Sequence, residues 1–363
     1  MGEKQPKIAI VHDYLVDRGG AERVVISLSK AFPSAPIYTS VYVPGKTFSY
    51  FSDKKIIYSK TLLFLFRLFG SRERIFPAIM LYFRRLNLRK YDLIISSSST
   101  FAIQVRHPKH FCYCHTPARF IWRNTDYNLA KNPIKQFFLN VISAPLRSID
   151  WRAAAQVTCF IANSENIRRR IKSVYGRTAV VIHPAINCGD FSVSRSRKED
   201  YFFILSRLKK YKNIDLAIKV FNELELPLLI AGQGSEANYL KSIAKNNIIF
   251  LGKITEKQLR ELYANCRAFI FPGEEDFGIT PLEAQASGVP VIGYGRGGLL
   301  ETVIDGKTGV FFDKPTVGAL KRAVKTCIKK ESSFKPDVIR KQAERFEEKV
   351  FIKKIKEILS ENE

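Results

Sequence analysis

Short apolar runs alternate with longer segments of helical periodicity along the first half of this chain. KIAIVH at residues 7–12 precedes a loop that ends in Gly19 and Gly20, and apolar residues then recur at helical spacing over residues 21–32. Because a strand that is buried on both faces appears as a continuous apolar run, this alternation predicts parallel strands covered by helices. Further runs lie at residues 36–42, 91–98, 109–115, 158–163 and 179–183.

The same alternation restarts after a polar, Ser/Arg-rich stretch at residues 188–200, which is the clearest candidate for a linker. Two doubly wound, Rossmann-like α/β domains are therefore predicted, over residues 1–190 and 191–340. Residues 341–363 form a C-terminal segment with a predicted helix. The apolar runs of the second half lie at residues 201–205, 227–231, 248–251, 268–271 and 289–292.

The stretch FPGEEDFGITPLEAQASGVPVIGYGRGGLLE, residues 271–301, carries the strongest chemical signal. It predicts a strand, a loop that contains Glu275 and Gly278, and a short helix whose N-cap is Thr280. A helix N-terminus beside a glycine binds anions, because unpaired N–H groups and the helix dipole both favour negative charge. Carboxylates beside such a site are suited to sugar hydroxyls, so Glu275 and Glu283 predict a nucleotide-sugar site.

Three weaker signals lie at other strand ends. Gly19-Gly20 stands between a strand and a helix, where glycines let a backbone approach phosphate closely. His115 ends a strand, at the edge where open α/β sheets bind ligands, although a single histidine is more often structural. Arg207 and Lys212 lie in a basic loop after a strand, and they are either solvated charges or phosphate ligands.

The pattern Glu-x-Phe-Gly-x-x-x-x-Glu-Ala at residues 275–284, followed by Gly-x-Pro-Val, resembles the retaining glycosyltransferases of family 4. That family has the GT-B fold, which implies two Rossmann-like domains facing across a cleft and a final helix that packs back on the N-terminal domain. HDYLVDRGGAERV and HTPARFIW are most similar to bacterial mannosyltransferases of O-antigen and exopolysaccharide assembly. The implied donor is a nucleotide-diphosphate sugar, with GDP-mannose as the first choice.

The resemblance also assigns roles to individual residues. His115 lies beside the transferred sugar, Glu275 holds sugar hydroxyls, and Arg207 and Lys212 neutralise the diphosphate. No enzymic nucleophile is evident, so we expect front-side transfer of the sugar with its anomeric configuration retained. The sequence has no Asp-x-Asp motif and no His/Cys cluster, so we expect neither a metal nor a cofactor. The implied substrate-binding residues are Glu283 for ribose, Lys253 and Ile254 for the base, Gly19, Gly20 and Ala21 for diphosphate and acceptor, and Gly278, Ile279 and Thr280 for diphosphate and sugar.

The net charge of +25 is concentrated in the first half of the chain. Residues 1–190 carry 29 Lys/Arg against 11 Asp/Glu, and residues 54–90 alone hold ten Lys/Arg and one Glu among large apolar residues such as Phe64 and Phe66. This segment is either an interfacial membrane helix or a pair of buried amphipathic helices. We expect a glycan or lipid-linked acceptor and an anionic membrane surface as partners.

The N-terminus carries no secretory signal and no window is apolar enough to span a membrane. We therefore expect a cytoplasmic protein, peripheral at the inner face of the cytoplasmic membrane. Two other functions stay open: a nucleotide-sugar epimerase or other GT-B enzyme, and a basic nucleic-acid-binding protein. The charge alone supports the second, and the chain lacks interleaved aromatic and basic RNA-binding signatures, so no nucleic-acid partner is expected.

Overall fold

A computed structural model of the chain describes residues 6–122, 133–193 and 199–361, with only the backbone described for 133–143. The chain divides into two compact units, Met1–Ala185 with Phe351–Glu363 and Ile186–Val350. Within the predicted linker, residues 194–198 lie outside the described ranges. In the part of the chain that is described, no helix is both long enough and apolar enough to cross a bilayer.

The first unit is a parallel sheet in which alternate residues of each strand enter different cores. Ile8 and Ile10 pack with the first helix, whereas Ala9 and Val11 pack with the helix that contains Phe83. Both faces of the sheet are thus covered, as continuous apolar strands require. Its elements are β1 Ile8–His12, α1 Gly20–Ala31, β2 Ile37–Thr39, β3 Ile56–Tyr58, α2 Lys60–Phe69, α3 Phe76–Arg85, β4 Leu93–Ser98, β5 His110–Cys114, α4 Arg119–Trp122, α5 Pro133–Ala155, β6 Cys159–Ala162, α6 Glu165–Tyr175 and β7 Ala179–Val181.

The second unit repeats this plan. Phe202 and Ile204 face one core and Phe203 faces the other, so this sheet is also covered on both sides. The prediction of two doubly wound, Rossmann-like α/β domains is confirmed. The elements from here to the end of the chain are β8 Phe202–Leu205, α7 Ile214–Leu224, β9 Leu228–Ala231, α8 Ala237–Ser242, β10 Ile248–Gly252, α9 Glu256–Asn265, β11 Ala268–Phe271, α10 Ile279–Ala286, β12 Val291–Tyr294, α11 Leu299–Thr302, β13 Gly309–Phe312, α12 Val317–Lys329, α13 Pro336–Glu344 and α14 Glu348–Ser360.

The strand orders of the two sheets are equivalent. Within the described residues the first runs β3-β2-β1-β4-β5-β6-β7 and the second runs β10-β9-β8-β11-β12-β13. In each sheet the chain moves outward from its first strand and then returns to the other side of that strand. The loops after β1 and β4, and those after β8 and β11, therefore diverge, and a doubly wound sheet binds its ligands at such a point.

The limits of the units differ from the predicted boundaries at residues 190 and 340. Ile186 pairs with Glu347, and Arg340 donates to the backbone carbonyl oxygens of Phe191 and Cys188, so the segment that follows residue 185 is attached to the second unit. The apolar side of α14 explains the other limit. From Phe351 onward its buried residues belong to the core of the first unit.

The basic segment of residues 54–90 contains a strand as well as two helices, whereas both predicted alternatives, an interfacial helix or a pair of buried helices, were entirely helical. It begins with β3, which pairs with β2 in parallel, and continues into α2 and α3. Leu62 and Phe83 are buried in the core, whereas Phe64 is 65% exposed and Leu68 is 64% exposed. One side of α2 thus packs against the sheet while its other side presents apolar residues to solvent.

A buried carboxylate fixes the loop after β4. Asp13, just beyond β1, accepts hydrogen bonds through Oδ2 from the backbone N–H groups of Ser99 (2.6 Å) and Thr100 (3.0 Å). Its Oδ1 accepts from those of Phe101 (2.8 Å) and Ala102 (2.7 Å). The backbone N–H groups of residues 99–102 lie in a loop, outside the hydrogen-bonding pattern of the sheet, and the Asp13 side chain accepts from all four of them.

We expect Asp13→Ala to lower the free energy of unfolding by about 3 kcal/mol or more, since each buried donor left unsatisfied costs about 1–3 kcal/mol. Asp53→Ala, at an exposed position of the same unit, should change it by less than about 0.5 kcal/mol. Urea unfolding of both variants measures the difference. Equal stability of the two would contradict the importance of this carboxylate.

Candidate functional site

In the second unit, the predicted phosphate cations lie on the loop after β8. Gly232 and Gly234, after β9, pack against this loop so closely that a Cβ at either position would overlap the backbone of Ser206 or Leu208. The backbone N–H of Leu208 also donates to the Gln233 carbonyl oxygen at 2.9 Å. This close backbone approach fixes the course of the basic loop.

Arg207 and Lys212 have different environments on that loop. Arg207 is exposed, and its Nη2 donates to the Tyr211 hydroxyl at 3.2 Å. Lys212 is only 7% exposed, and its Nζ donates to Oε1 of half-buried Glu275. The structure thus joins two predicted site residues that are 63 positions apart. An ammonium group has three N–H donors, and Lys212 uses one of them on Glu275.

The loop with Glu275 is held in turn by two glycines that the sequence interpretation did not identify. The backbone N–H of Gly298 donates to the Glu275 carbonyl oxygen at 3.0 Å. A Cβ at Gly297 would overlap that same carbonyl, and one at Gly298 would overlap the backbone of Phe277. Only glycine permits this approach, and Gly297 also has a positive φ of 62°.

The predicted N-cap at Thr280 is wrong. The N-cap of α10 lies two residues earlier, at Gly278, which has a φ of 90°, and the helix begins at Ile279. A side chain is disfavoured at that dihedral angle, so glycine takes the position that sequence preferences assign to threonine. Ile279 and Thr280 accordingly lie in the first turn of the helix, where backbone N–H groups have no acceptor within the helix.

Glu283 lies on α10 and is 1% exposed. Its Oε2 accepts a hydrogen bond from the hydroxyl of Tyr263, a fully buried residue of α9, at 3.0 Å. This tyrosine was missed, because a Tyr at the end of an amphipathic helix is ordinarily a core residue. Lys253 and Ile254 follow β10, with Lys253 exposed and Ile254 half-buried against the core.

In the first unit, the Gly19-Gly20-Ala21 segment forms the start of α1. Gly19 is the N-cap, and its backbone N–H donates to Oε2 of Glu22 at 3.0 Å, which is the one bond of a capping box that a glycine can form. Burial raises the pKa of Glu22 to about 7, against the opposing effect of its backbone hydrogen bonds. The Glu22 side chain therefore already accepts a hydrogen bond from one backbone N–H at the start of α1.

His115 follows β5 and is 8% exposed. Its Nε2 lies 2.8 Å from Oγ of Ser97, the residue of β4 that pairs with β1 at His12. The side chain of Asn163 donates to the His115 carbonyl oxygen at 3.1 Å. Burial, aided by the neighbouring His12, lowers the pKa of His115 to about 3, so its imidazole is neutral at physiological pH.

The predicted site residues thus fall into two local groups, one in each unit. His115 and the Gly19–Ala21 segment lie at carboxyl ends of the first sheet, and Arg207, Lys212, Glu275 and the start of α10 lie at those of the second. Where the structure is described, no three His, Cys, Asp or Glu side chains are placed to hold a metal ion.

Comparison with known families agrees with this arrangement. Residues 18–190 match the family model described as Glycosyltransferase Family 4. Residues 189–350 match the model described as Glycosyl transferases group 1. The two matches are consecutive and meet close to the change between the two units at residue 185.

Two relatives and one solved structure illustrate the similarity. An alpha-1,3/1,6-mannosyltransferase ALG2 from Dictyostelium discoideum is 28% identical, with 87% of this chain and 88% of the relative covered. A GDP-mannose-dependent alpha-(1-6)-phosphatidylinositol monomannoside mannosyltransferase from Mycolicibacterium smegmatis is 30% identical over 47% of this chain and 52% of the relative. Anabaena Alr3699/HepE in complex with UDP-glucose superposes with a TM-score of 0.72 at 18% identity, over 98% of this chain and all of that one.

The fold of that neighbour and the consecutive family matches agree with the strand orders described above. The resemblance noted in residues 275–291 is thereby confirmed, and it extends over residues 18–350. The protein is a glycosyltransferase of family 4, built from the two Rossmann-like domains of the GT-B fold.

Proposed function

We propose that this glycosyltransferase moves mannose from GDP-mannose to a glycan or lipid-linked acceptor in surface polysaccharide synthesis, with retention of configuration and without a metal or cofactor. The observation that carries the proposal is the group formed by Arg207, the Lys212–Glu275 pair and the start of α10. It places positive charge, backbone donors and a carboxylate at the crevice of a doubly wound sheet.

The chemistry of each group fits one part of a nucleotide sugar. A departing diphosphate needs positive charge, which Arg207 and Lys212 supply as a fork and a point charge. Glu275 and Glu283 suit sugar and ribose hydroxyls, since carboxylates accept hydrogen bonds and repel phosphate. His115, being neutral, suits a hydroxyl better than a phosphate. Gly19, Gly20, Ala21, Lys253, Ile254, Gly278, Ile279 and Thr280 are proposed to line the substrates through backbone and side-chain contacts.

The choice of sugar and acceptor is supported by the relatives. Both curated relatives are mannosyltransferases by name, and one is described as GDP-mannose-dependent and acting on a phosphatidylinositol mannoside. The solved neighbour was instead crystallised with UDP-glucose, which is also a nucleotide-diphosphate sugar. The motif resemblance to enzymes of O-antigen assembly supports a role in surface polysaccharide.

The outer side of α2 supports a peripheral location at the inner face of the cytoplasmic membrane. Lys60, Phe64 and Leu68 recur every four residues, so they lie on one side of the helix, and all three are exposed. Phe69 is 43% exposed beside them, whereas Phe66 packs against the core. Exposed apolar residues among cations are typical of a surface that binds anionic lipid.

The donor and the metal are tested together. GDP-mannose at about 100 times its dissociation constant should stabilise the protein by about 2.7 kcal/mol, and sugar transfer should continue in excess EDTA with the donor's anomeric configuration kept. Differential scanning fluorimetry across GDP and UDP sugars, and NMR of the product, provide the readouts. Loss of transfer with EDTA and rescue by Mg²⁺ would reveal a metal enzyme, and stabilisation by DNA alone would favour the nucleic-acid-binding alternative.

The cations are expected to act on the departing diphosphate. Arg207→Ala should lower kcat by about 10²–10³-fold, the loss typical of a missing transition-state donor, without changing the unfolding temperature because Arg207 is exposed. Lys212→Ala should lower kcat similarly and also destabilise the fold, since it removes the partner of Glu275. Lys210→Ala, which removes an exposed cation of the same loop, is the matched control. Equal kcat in all three variants would show that Arg207 and Lys212 do not act on the diphosphate.

The two carboxylates should affect different kinetic constants. Glu283→Gln and Tyr263→Phe should mainly weaken donor binding, because ribose is held equally before and during the reaction. Glu275→Gln should mainly lower kcat, because charge develops on the sugar that it is proposed to hold. Glu274→Gln changes an exposed neighbour and controls for net charge. Wild-type donor affinity in Tyr263→Phe and wild-type kcat in Glu275→Gln would assign the carboxylates a structural role.

Vesicle flotation tests the membrane surface. Recovery should occur with anionic but not neutral vesicles, and it should fall as salt rises, because each Lys or Arg near such a surface contributes about 1 kcal/mol. Phe64→Ser with Leu68→Ser should reduce recovery, whereas Leu300→Ser, a 51% exposed residue of the second unit, should not. Equal recovery with both vesicle types would show that α2 is an ordinary surface helix.

A further inference from the structure

A chain of hydrogen bonds connects β1 to His115 through β4. Nδ1 of His12 lies 3.0 Å from the carbonyl oxygen of Ser97 and 3.2 Å from its Oγ. The same Oγ lies 2.8 Å from Nε2 of His115. His12 is 1% exposed and Ser97 is fully buried, so solvent does not compete for these bonds. All three residues lie at the carboxyl ends of adjacent strands.

The positions of the protons follow from the donors and acceptors available. A carbonyl oxygen only accepts, so Nδ1 of His12 must carry the hydrogen that it shares between the two oxygens of Ser97. The serine hydroxyl then accepts from His12, and its own hydrogen points to Nε2 of His115, the acceptor that remains. Nε2 of His115 is consequently unprotonated, and the hydrogen of this imidazole lies on Nδ1.

Both imidazoles remain neutral, which this arrangement of protons requires. Burial is the main cause that lowers the pKa of His12, and burial together with His12 lowers that of His115 to about 3. In the described structure no donor lies within reach of Nε2 of His12, and this nitrogen is enclosed. A second proton on the His12 ring would therefore lie on an enclosed nitrogen with no hydrogen-bond partner among the described residues, and the cost of burial outweighs the attraction of the adjacent Asp13 carboxylate.

We propose that His12 and Ser97 are positioning residues that hold His115 in its Nδ1–H tautomer, so that it donates a hydrogen bond to a hydroxyl oxygen of the transferred sugar. The inference rests on the proposed function, because it takes His115 to contact the sugar. Neither positioning residue needs to contact a substrate. In the other tautomer, Nδ1 would be an acceptor and could bind a hydroxyl only by receiving its hydrogen.

The sheet contains a matched control for this inference. Ser96, one residue earlier on β4, points to the opposite face of the sheet because side chains alternate along a strand. Its Oγ lies 2.7 Å from Nε2 of His110, and both residues are fully buried. Ser96→Ala therefore removes a serine–histidine hydrogen bond of the same kind from the same strand, with no direct effect on His115.

The first test is the tautomer itself. The chain has five histidines, so protein labelled with ¹⁵N in its histidine rings gives few signals in a long-range ¹H–¹⁵N spectrum, and His115→Gln assigns the relevant pair. We expect a protonated Nδ1 and an unprotonated Nε2 for His115 in the wild type and in Ser96→Ala, and a mixture of tautomers in Ser97→Ala. A protonated Nε2 in the wild-type protein would overturn the proposal.

The second test is kinetic. Ser97→Ala should lower kcat by about 10–100-fold, by analogy with the loss of a partner that orients a metal-binding histidine, while Ser97→Thr, which keeps the hydroxyl, should retain both tautomer and turnover. Ser96→Ala should retain kcat, and thermal unfolding establishes that each variant is folded. A mixed tautomer in Ser97→Ala with wild-type kcat would overturn the positioning role.

The proposed function can fail separately from this inference. Wild-type kcat in His115→Gln would remove His115 from the reaction, whatever its tautomer. An Nδ1–H tautomer that depends on Ser97, found in a protein that transfers no mannose but transfers another sugar, would leave the positioning role intact and correct only the donor.

Discussion

The parallel direction of the strands is the constraint on which both units depend. Each pairing within the two described sheets is parallel, so the segments that follow the strands all emerge at one edge of their sheet. At the strand where the order reverses, neighbouring segments diverge and leave a crevice. His12, Ser97 and His115 lie at this edge of the first sheet, and the Arg207–Lys212 loop and Glu275 lie at that of the second.

The two crevices differ in charge, and this difference has a structural cause. In the second unit, Arg207 on the loop after β8 is exposed to solvent. The positive charge of buried Lys212 on the same loop is balanced by the Glu275 carboxylate. In the first unit the corresponding groups are enclosed, and burial favours neutral imidazoles. The fully buried carboxylate of Asp13, next to His12 in the chain, accepts from four backbone N–H groups.

Close contacts between backbones set the course of the loops in the second unit. Gly232 and Gly234 let the β9–α8 connection pack against the basic loop, while Gly297 and Gly298 hold the loop that contains Glu275. The basic loop and the loop that contains Glu275 are thereby held by backbone contacts with neighbouring segments. The ion pair between Lys212 and Glu275 follows from this placement, because the contacts of the four glycines bring the two loops to their positions.

Much of the fold was predictable from the sequence, because a strand buried between two layers of helices must be apolar throughout. The apolar runs therefore identified β1, β4, β8 and β11, and the periodic segments between them identified the crossovers. The motif at residues 275–291 also sufficed to name the family, since its glycine, carboxylates and helix start lie within one strand–helix unit. Whether its residues act as proposed stays a prediction.

Other features were decided only by the tertiary structure. The partners Lys212 and Glu275, Tyr263 and Glu283, and His12, Ser97 and His115 are distant along the chain, and no local pattern relates them. The N-cap at Gly278 departed from residue preference because the loop before α10 requires a positive φ. The outward direction of Phe64 depended on which side of α2 meets the sheet. Sequence periodicity determines which residues can be buried, and only the packing of distant elements determines which polar groups meet.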